Sequence, residues 1–574
     1  MSELINQRIR AIAPELDPLR MGMGWTAEDL DKPSILIEST FGDSHPGSAH
    51  LLELVNAAAA GTADMGGRAS RFFATDICDG MAQGHDGINY SLASRDTICN
   101  LIEIHGSATP FDGAVFIASC DKGLPANLMG AGRLNVPCVV LPGGVMDAGP
   151  DLLTLEQIGM YSAQYERGEI DREQFDFYKH HACPSNGACS FMGTACTMQI
   201  MAEALGLALP GTALLPAAGP ALREAARAAG RQAVRLARMG LKARDIVTRR
   251  SFENAIMVHA AISGSTNALL HLPAIAREFG VEIDARTFDA MHRGAHYLVD
   301  VRPAGRWPAI FFHYAGGVPR VMEEIRGMLH LDVMTATGKT LGENLEELRS
   351  SGYYEACEAQ LKKTGLKRTD IIRSFDDPIG SDGTIGILYG NLAPEGAVVK
   401  HSAVPKEMFR AVLRANPFDC EEDAIDAILK KRVKPGEAVF IRYEGPKGSG
   451  MPEMFYTGEA ICSDPELAAQ MALITDGRFS GASKGPVIGH VSPEAAQGGP
   501  IALVEKDDLI ELDIPARVLR IVGVRGERRP PEEIDAILRQ RRAAWKPRPG
   551  RYAKGVLKIF SEHAVSPMKG GYME

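Results

Sequence analysis

Short apolar runs that alternate with helical patterns limit the folds open to this chain, mainly between residues 35 and 380. Three runs are typical of buried strands or of buried helix starts: GAVFIAS (113–119), VPCVVLPGG (136–144) and AIMVHAAI (255–262). Two longer segments are typical of helices: TACTMQIMAEALGLALPG (194–211) and TNALLHLPAIAREFG (266–280). Strand–helix alternation predicts an α/β domain with a largely parallel sheet.

The chain is too long for one hydrophobic core, since it has 574 residues, so two or three domains are expected. Glycine, proline and aspartate cluster in SFDDPIGSDGTIGILYGNLAPEG (374–396), which predicts a boundary near residue 380. Short β-like runs follow it: GAVVKHSAV, EAVFIRYEG, MALITDG, PIALVE, DLIELDI and RVLRIVGV. We therefore expect an N-terminal α/β domain over residues 1–380 and a C-terminal β-rich domain, a sandwich or a barrel, over residues 381–574.

Charge and hydropathy exclude several classes of protein. The net charge of −10 disfavours binding to nucleic acid or anionic membranes, because both need a basic surface. No segment approaches the ~20 apolar residues that span a bilayer, and the polar start MSELINQRIRAIAPELDP has no signal-peptide core. We expect a cytoplasmic protein whose 10 cysteines are thiols or metal ligands. Because no CxxC pair occurs, a structural zinc site is not expected.

A thiol, a carboxylate and an amine are consecutive in ASCDKGLPANLMGAG (118–132), as Cys120, Asp121 and Lys122. The preceding DGAVFI predicts a strand, and the following residues predict a helix opened by Pro125. The three groups are thus expected where a strand ends and a helix begins. Thiolates are typical ligands of iron–sulfur clusters, and carboxylates are typical ligands of Mg²⁺ or Mn²⁺.

Two further cysteines have similar neighbours. Cys78 precedes Asp79 in TDICDGMAQGHDG, and Cys189 lies in SNGACSFMGTA, a Gly- and Ser-rich loop before a helix. Two Cys-Asp pairs indicate a soft metal site beside a hard one, whereas a lone cysteine in an apolar run is most often a core residue. The core interpretation applies to Cys99, Cys138, Cys196, Cys357, Cys420 and Cys462. Cys183, in the same loop as Cys189, stays open between the two.

The C-terminal domain offers two Gly-rich loops, RYEGPKGSGMPEM (442–454) and LITDGRFSGASKG (473–485). Each follows a predicted strand, as functional loops often do. Glu444 and Glu453 are candidate hard ligands in the first loop, and Ser480 is a candidate catalytic residue in the second. Both loops are equally compatible with simple turns.

Seven stretches, in order from about residue 35 to residue 520, resemble the dihydroxy-acid dehydratase / 6-phosphogluconate dehydratase family. They are CDGMAQGHDGINYSLASRD, SCDKGLPANLMGAGRLNVP, GACSFMGTACTMQIMAEALGLALPG, SFENAIMVHAAISGSTNALLHLPAIA, GNLAPEGAVVKHSAV, IRYEGPKGSGMPEM and ALITDGRFSGASKGPVIGHVSPEAAQGGPIALV. The resemblance implies dehydration of a 2,3-dihydroxy acid to a 2-keto acid. It also implies an iron–sulfur cluster and a divalent metal, Mg²⁺ or Mn²⁺.

The resemblance implies roles for single residues as well. Cys120 and Cys189 match cluster ligands, and Ser480 matches the proposed catalytic base. The implied ligands of the divalent metal are Asp79, Asp121, Glu453 and Lys122, the last as a carbamylated lysine that also serves catalysis.

One position departs from the family pattern. Many members have a first cluster cysteine in a PCNxHL-like motif, whereas Gly47 occupies that place in DSHPGSAHLLEL (43–54). Because the phosphogluconate branch has a similar Cys-Asp-Gly, we infer that Cys78 replaces the missing thiolate. Both [2Fe-2S] and [4Fe-4S] clusters occur in the family, so the cluster type stays open.

The substrate is predicted from MGTACTM (192–198), which resembles the sugar-acid branch and favours an aldonate that yields a 2-keto-3-deoxy acid. The alternative is the dihydroxy-acid dehydratase of branched-chain amino-acid synthesis, which an apolar pocket around C4 would indicate. A non-catalytic iron–sulfur sensor is a third reading, but a sensor does not need Lys122, Glu453 and Ser480 together. We expect a homodimer or homotetramer that acts on a small molecule.

Overall fold

The computed structural model describes residues 4–462, 464–480 and 485–574. Its strands form a four-stranded sheet, a nine-stranded sheet and a two-stranded pair. The strands are β1 Ser34–Ser39, β2 Arg68–Phe73, β3 Gly113–Ala118, β4 Cys138–Pro142, β5 Ile385–Leu388, β6 Gly396–Lys400, β7 Arg410–Phe418, β8 Glu437–Ile441, β9 Glu453–Met454, β10 Ala472–Thr475, β11 Arg478–Phe479, β12 Val487–Ser492, β13 Leu509–Asp513, β14 Val518–Val524 and β15 Glu527–Arg528.

The helices of the first half are α1 Ile5–Ile12, α2 Leu16–Gly22, α3 Ala27–Leu30, α4 Leu51–Asp64, α5 Asp79–Ala82, α6 Tyr90–Ala108, α7 Gly123–Leu134, α8 Ile158–Glu166, α9 Arg172–His181, α10 Thr194–Ala204, α11 Pro220–Met239, α12 Ala243–Ile246, α13 Arg249–Ala261 and α14 Ala268–Glu278. Those of the second half are α15 Ala285–Arg293, α16 Ile310–Tyr314, α17 Gly317–Glu324, α18 Leu341–Ser350, α19 Tyr353–Lys362, α20 Arg368–Ile371, α21 Glu421–Leu429, α22 Tyr456–Cys462, α23 Pro465–Gln470, α24 Pro531–Ala544 and α25 Val556–His563.

The N-terminal sheet is parallel throughout, in the order β2-β1-β3-β4. Its strands β1, β3 and β4 are buried along their whole lengths, because α4, α7 and α11 pack on the sheet. The predicted strands β3 and β4 and the predicted helices α10 and α14 are confirmed.

Three sequence expectations about this half need correction. The segment 255–262, expected as a buried strand or a helix start, is the C-terminal part of helix α13 with its C-cap Ile262, and between β4 and β5 the described chain contains helices, turns and isolated bridges but no further strand. The alternation expected up to residue 380 therefore ends at β4. Helix α7 begins at Gly123 rather than at Pro125. Proline is tolerated there because the first N–H groups of a helix have no intrahelical partner.

The C-terminal sheet has nine strands in the order β15-β14-β13-β7-β8-β10-β12-β6-β5. It is parallel at its centre and antiparallel toward both ends. The sheet curls until Tyr389, just after β5, pairs with Val518 of β14. The N–H of Leu519 donates to the carbonyl of Tyr389 at 2.9 Å. These contacts confirm the predicted barrel-like arrangement.

One predicted C-terminal strand is wrong. PIALVE forms a short 3-10 turn, Pro500–Leu503, because Pro500 has no N–H to donate to a neighbouring strand. The two halves of the molecule are packed against each other: the hydrophobic core of the N-terminal half extends to Ile387 of β5 and Val398 of β6. The boundary at residues 380 and 381 stays a prediction, as does the homodimer or homotetramer.

The cysteines described by the structure are thiols, not disulfides. Four of those assigned to the core are buried: Cys99, Cys138, Cys196 and Cys357. Cys420, which directly precedes α21, is only half-buried. The side chain of Cys462 lies outside the described part. No helix in the described residues is long and apolar enough to cross a membrane.

Candidate functional site

The chemically active residues lie where neighbouring parallel strands end. His45 follows β1, the pair Cys78 and Asp79 follows β2, and Cys120 and Asp121 follow β3. Because β2 and β3 both pair with β1 in parallel, their carboxyl ends meet at one edge of the sheet. Open α/β sheets commonly bind ligands at this edge. The two Cys-Asp pairs that the sequence singled out are thereby brought to one place.

Two thiols and an imidazole form a compact group at this edge. One ligand atom each from His45, Cys78 and Cys120 lies within 4.8 Å of the others. The Cys120 thiol donates to Cys78 and lowers the pKa of Cys78 to about 6, although burial opposes the shift. The same hydrogen bond, together with burial, raises the pKa of Cys120 well above its usual range. Cys78 is therefore the more readily formed thiolate of the pair.

Cys189 lies near this group but outside the 4.8 Å set. Burial raises the pKa of Cys189, and the negative charges of Asp121 and Cys78 raise it further, so Cys189 lies within electrostatic reach of both. Its loop is tied to the His45 loop, because the N–H of Gly187 donates to the carbonyl of Pro46 at 2.9 Å.

Cys183, which the sequence left open, is exposed on a cavity of about 540 Å³. His45 and Pro46 line the same cavity.

Position 47 faces the same group. A Cβ atom at Gly47 would lie 3.2 Å from His45 Nδ1 and 3.3 Å from Cys120 Sγ, so a cysteine at this position would reach the thiols. In this chain Cys78 is the thiol in contact with Cys120. This geometry agrees with the expectation that Cys78 replaces the missing cysteine. The role of Cys78 as a cluster ligand stays a prediction.

Asp79 is buried and surrounded by donors. The hydroxyl of Ser91 donates to both carboxylate oxygens at 2.7 and 2.8 Å, and Lys122 Nζ donates to Oδ2 at 2.8 Å. Arg478 Nη2 lies 3.6 Å from the same oxygen. Burial raises the pKa of Asp79, but the charges of Lys122 and Arg478 lower it by more, so it lies below its ordinary value. The carboxylate is therefore ionised.

Glu453 is brought to Asp79 by the two-stranded parallel pair β9–β11, in which Glu453 stands opposite Arg478. Arg478 is fully buried and donates to Glu453 Oε2 at 2.9 Å, and Asn267 Nδ2 donates to the same oxygen at 2.8 Å. Arg478 also donates to Ser91 Oγ at 2.9 Å. This arginine thus links the carboxylates of the two halves.

Asp121 completes a set of three carboxylates. The pKa of Asp121 is raised to about 7, mainly by burial, with the charges of Asp79 and Glu453 adding to the effect of burial and that of Lys122 opposing it. The negative charges of the three carboxylates therefore repel one another, and a bound divalent cation would neutralise this negative charge. Lys122 is buried and its Nζ donates to Asp79, and its carbamylation stays a prediction.

Ser480 directly follows β11, and its N–H donates to the carbonyl of Met454 at 3.3 Å. It lines a cavity of about 40 Å³ together with Lys400 and His490. Glu444, the other candidate hard ligand, contacts Ser449 and Arg551.

Sequence reasoning missed His45 and gave no role to the buried Arg478 as a link between carboxylates. His45 lies in the stretch DSHPGSAH, in which the sequence argument considered only the missing cysteine at position 47. The donor set fits the two implied cofactors: thiols with an imidazole suit an iron–sulfur cluster, and clustered carboxylates suit Mg²⁺.

Comparison with known proteins agrees with this donor set. Residues 32–344 match the family model "Dihydroxy-acid/6-phosphogluconate dehydratase N-terminal", and residues 370–571 match its C-terminal counterpart. The chain is 42% identical over 559 residues to dihydroxy-acid dehydratase 1 of Methanosarcina acetivorans, with 96% of each chain covered. It is 41% identical over 572 residues to dihydroxy-acid dehydratase of Methanosarcina barkeri, with 98% of each covered.

A third relative, dihydroxy-acid dehydratase of Caldanaerobacter subterraneus, is 41% identical over 562 residues and 96% of each chain. Dependence on an iron–sulfur cluster and on Mg²⁺ is typical of this family. The chain therefore belongs to the dihydroxy-acid / 6-phosphogluconate dehydratase family, and it is a hydro-lyase that removes water from a dihydroxy acid.

Proposed function

We propose that the substrate is a short 2,3-dihydroxy acid with an apolar tail, which loses water to give the 2-keto acid. The sugar acid predicted from MGTACTM is not confirmed, and the relatives, all named dihydroxy-acid dehydratase, support the alternative better. The observation that carries the proposal is the cavity at Ser480. It measures about 40 Å³, and four of the eight side chains that line it are apolar: Val398, Ala403, Phe479 and Val487.

Ser480 is proposed as the base, since it lines this cavity one residue beyond Phe479. As the alkoxide, its Oγ takes the proton from C2 while hydroxide leaves C3, and the resulting enol tautomerises to the 2-keto acid. When bound, a cluster at Cys78, Cys120 and Cys189 and Mg²⁺ at the carboxylates would supply Lewis acids for the departing hydroxyl and the substrate carboxylate.

The residues around the carboxylates are proposed to hold them in position. Arg478 fixes Glu453 relative to Asp79, and Asn267 holds Glu453 from the side of α14. Asp79, Asp121 and Glu453 would hold Mg²⁺, and a carbamylated Lys122 would add another oxygen ligand. The adjacency of Cys120 and Asp121 then keeps the soft and hard sites side by side.

An aldonate is a second candidate, favoured by polar groups at the same cavity. Lys400 and Thr266 line it, and Lys400 Nζ donates to the carbonyl of Ser263 at 2.8 Å. Burial lowers the pKa of Lys400 to about 8, so the amine retains its positive charge at neutral pH for much of the time. A cation and a hydroxyl here would suit the distal hydroxyl groups of a sugar acid.

The substrate is tested with protein whose cluster is reconstituted anaerobically in the presence of Mg²⁺. 2,3-Dihydroxyisovalerate and a panel of pentonates and hexonates are assayed for 2-keto acid. The proposal predicts a kcat/KM higher for the branched acid by about tenfold or more, the discrimination that an apolar pocket supplies. Preference for an aldonate would overturn it, and absence of any 2-keto acid would overturn the dehydration itself.

A matched pair of variants localises the specificity. Val398→Thr adds a hydroxyl to the cavity at nearly constant volume, and we expect it to shift the preference toward aldonates. Val412→Thr makes the same change on the exposed face of β7 and should leave the preference unchanged. Equal behaviour of the two variants would place specificity elsewhere.

A further inference from the structure

We propose that His259 is a positioning residue for the Mg²⁺ site: it holds the loop of residues 263–267, and through Asn267 this loop holds the metal ligand Glu453. The inference rests on the Mg²⁺ site of the proposed function, and it adds a residue that acts through Asn267 rather than on the metal itself. It follows from an unbroken run of hydrogen bonds between helix α13 and Glu453 and from the state of two buried histidines.

The first observation is the link from the 263–267 loop to Glu453. Asn267 Nδ2 donates to Glu453 Oε2 at 2.8 Å and to Thr194 Oγ1 at 2.7 Å. The N–H of Asn267 donates to Ser265 Oγ at 3.2 Å, and this oxygen lies 3.1 Å from Thr194 Oγ1. All four side chains are buried. The position of the Glu453 carboxylate therefore depends on where the loop places Ser265 and Asn267.

The second observation is that His259 contacts this loop directly. His259 Nε2 lies 3.0 Å from the carbonyl oxygen of Ser265, and because a carbonyl oxygen only accepts, Nε2 carries the hydrogen and donates it. The imidazole packs against Gly264, where a Cβ atom would lie only 2.4 Å from the ring carbon Cδ2. Ser263 has a φ of 53°, in the left-handed region, which is unfavourable for serine and needs support from its surroundings. His259 supplies part of that support.

The loop has two other anchors. Thr197 Oγ1 accepts from the N–H of Ser265 at 3.0 Å, and Lys400 Nζ donates to the carbonyl of Ser263 at 2.8 Å. Both anchors remain when His259 is replaced. We therefore expect the loop to shift rather than to unfold, so that the effect falls on the position of Asn267.

The third observation is the state of the imidazole. His259 Nδ1 lies 3.2 Å from His292 Nε2, and His292 Nδ1 accepts from the N–H of Ile385, the first residue of β5, at 3.4 Å. Burial lowers the pKa of His259 to about 4 and the pKa of His292 well below its usual value, so both rings are neutral at neutral pH. His292 then carries its hydrogen on Nε2 and donates it to His259 Nδ1. This bond keeps the hydrogen of His259 on Nε2, directed at Ser265.

Asn254 provides a matched control on the same helix. It is fully buried, as His259 is, and its two hydrogen bonds go to the backbone of His330. Its Nδ2 donates to the His330 carbonyl at 3.0 Å, and its Oδ1 accepts from the His330 N–H at 2.8 Å. Asn254→Leu therefore removes buried hydrogen bonds from α13, as His259→Leu does, but leaves the 263–267 loop untouched.

The test measures Mg²⁺ affinity by calorimetry in protein whose cluster is reconstituted anaerobically. We expect His259→Leu to bind Mg²⁺ about tenfold more weakly than the wild type, with unchanged iron and sulfide, since residues behind a metal ligand typically affect affinity on this scale. Asn254→Leu should bind like the wild type. His259→Gln, whose amide nitrogen can take the place of Nε2, should recover most of the affinity. Equal affinity of His259→Leu and the wild type, or an equal loss in Asn254→Leu, overturns the inference.

A double variant tests whether His259 acts through Asn267. Asn267→Leu combined with His259→Leu should bind Mg²⁺ about as weakly as Asn267→Leu alone, because residues that act through one contact are not additive. Fully additive losses overturn the inference. If His259→Leu does not fold, His259→Asn replaces it. Its amide nitrogen takes the place of Nδ1 rather than Nε2, so it should bind Mg²⁺ more weakly than His259→Gln, and equal binding overturns the inference.

Dehydratase activity is assayed separately from Mg²⁺ affinity. An inactive wild type with the expected order of affinities among the variants refutes the proposed function and supports the role of His259. A wild type that binds no Mg²⁺ refutes both.

Discussion

The site has a soft half, formed by His45, Cys78 and Cys120, and a hard half, formed by Asp79, Asp121 and Glu453. The two are built in different ways. His45, Cys78 and Cys120 all follow strands of one parallel sheet, and they keep an unpartnered nitrogen and a readily ionised thiol among the described residues. In the hard half, Asp79 and Asp121 follow strands of the N-terminal sheet, whereas Glu453 comes from β9 in the C-terminal part of the chain. There, Lys122 and Arg478 already neutralise much of the negative charge.

This difference indicates how the site assembles. One sheet suffices to bring the soft donors together, whereas the hard half is complete only when β9 and β11 dock Glu453 and Arg478 against Asp79. The soft half offers donor atoms without protein partners, whereas the carboxylates of the hard half already have Lys122 and Arg478 as partners. Four changes, from the largest expected effect to the smallest, test this distinction.

Ser480→Ala has the largest expected effect, and it falls on turnover. Loss of the proton acceptor should lower kcat by about 10²–10⁴-fold, while cluster and Mg²⁺ content stay unchanged. A turn serine would instead contribute about 1 kcal/mol of stability and leave the chemistry largely intact. Steady-state rates decide between the two, and Ser480→Thr, which keeps the hydroxyl, should retain more activity than Ser480→Ala. An alanine variant with more than about a tenth of the wild-type rate would remove Ser480 from this role.

Arg478→Met breaks the charge compensation of the hard half. It leaves Asp79 and Glu453 buried without this cation, and loss of one partner of a buried ion pair costs about 3–5 kcal/mol. Unfolding of the metal-free protein in denaturant measures the loss. Arg410→Met, which removes an exposed partner of Asp513, should cost less than about 1 kcal/mol. Equal stability of the two variants would show that the hard half does not depend on Arg478.

Cys78→Ser tests the soft half. We expect it to lose most of its iron and sulfide, because it removes the thiolate in contact with Cys120. Cys183→Ser and Cys420→Ser should keep both, since Cys183 is exposed and Cys420 lies in the C-terminal half. Iron and sulfide analysis after anaerobic reconstitution gives the answer. If Cys78→Ser keeps a full cluster and Cys183→Ser loses it, the third thiolate has been assigned to the wrong residue.

Gly47→Cys has the smallest expected effect on its own. A Cβ here lies 3.2–3.3 Å from its neighbours, so they need to move by only a few tenths of an ångström. We expect the single variant to fold and to bind a cluster. Combined with Cys78→Ser, it should restore the iron content that Cys78→Ser loses, because the new thiol lies beside Cys120. A double variant as poor in iron as Cys78→Ser would separate position 47 from the cluster site.

The sequence predicted those structural features that are determined by residues close together in the chain. The apolar run before Cys120 and the helix after it are local features, so the strand–helix junction and its three polar groups were found. The barrel-like C-terminal sheet followed from turn spacing. PIALVE was misassigned because apolar content outweighed the missing N–H of Pro500.

The missed parts of the site depend on contacts between distant segments. His45 meets Cys120 only through the register of β1 with β3, and Arg478 meets Asp79 only when the two halves dock. Neither contact leaves a periodic signal in the sequence. The helical region between β4 and β5 was also misjudged, because short buried helices and buried strands share the same apolar runs.

We propose that the adjacent residues Cys120 and Asp121 serve two different metals, Cys120 the cluster and Asp121 the Mg²⁺. The direct test is to measure iron, sulfide and Mg²⁺ affinity in Cys120→Ser and in Asp121→Asn under the same anaerobic conditions. We expect opposite losses: Cys120→Ser loses iron and sulfide but still binds Mg²⁺, and Asp121→Asn keeps its cluster but binds Mg²⁺ weakly. Loss of both metals in each variant, or of neither, would contradict it.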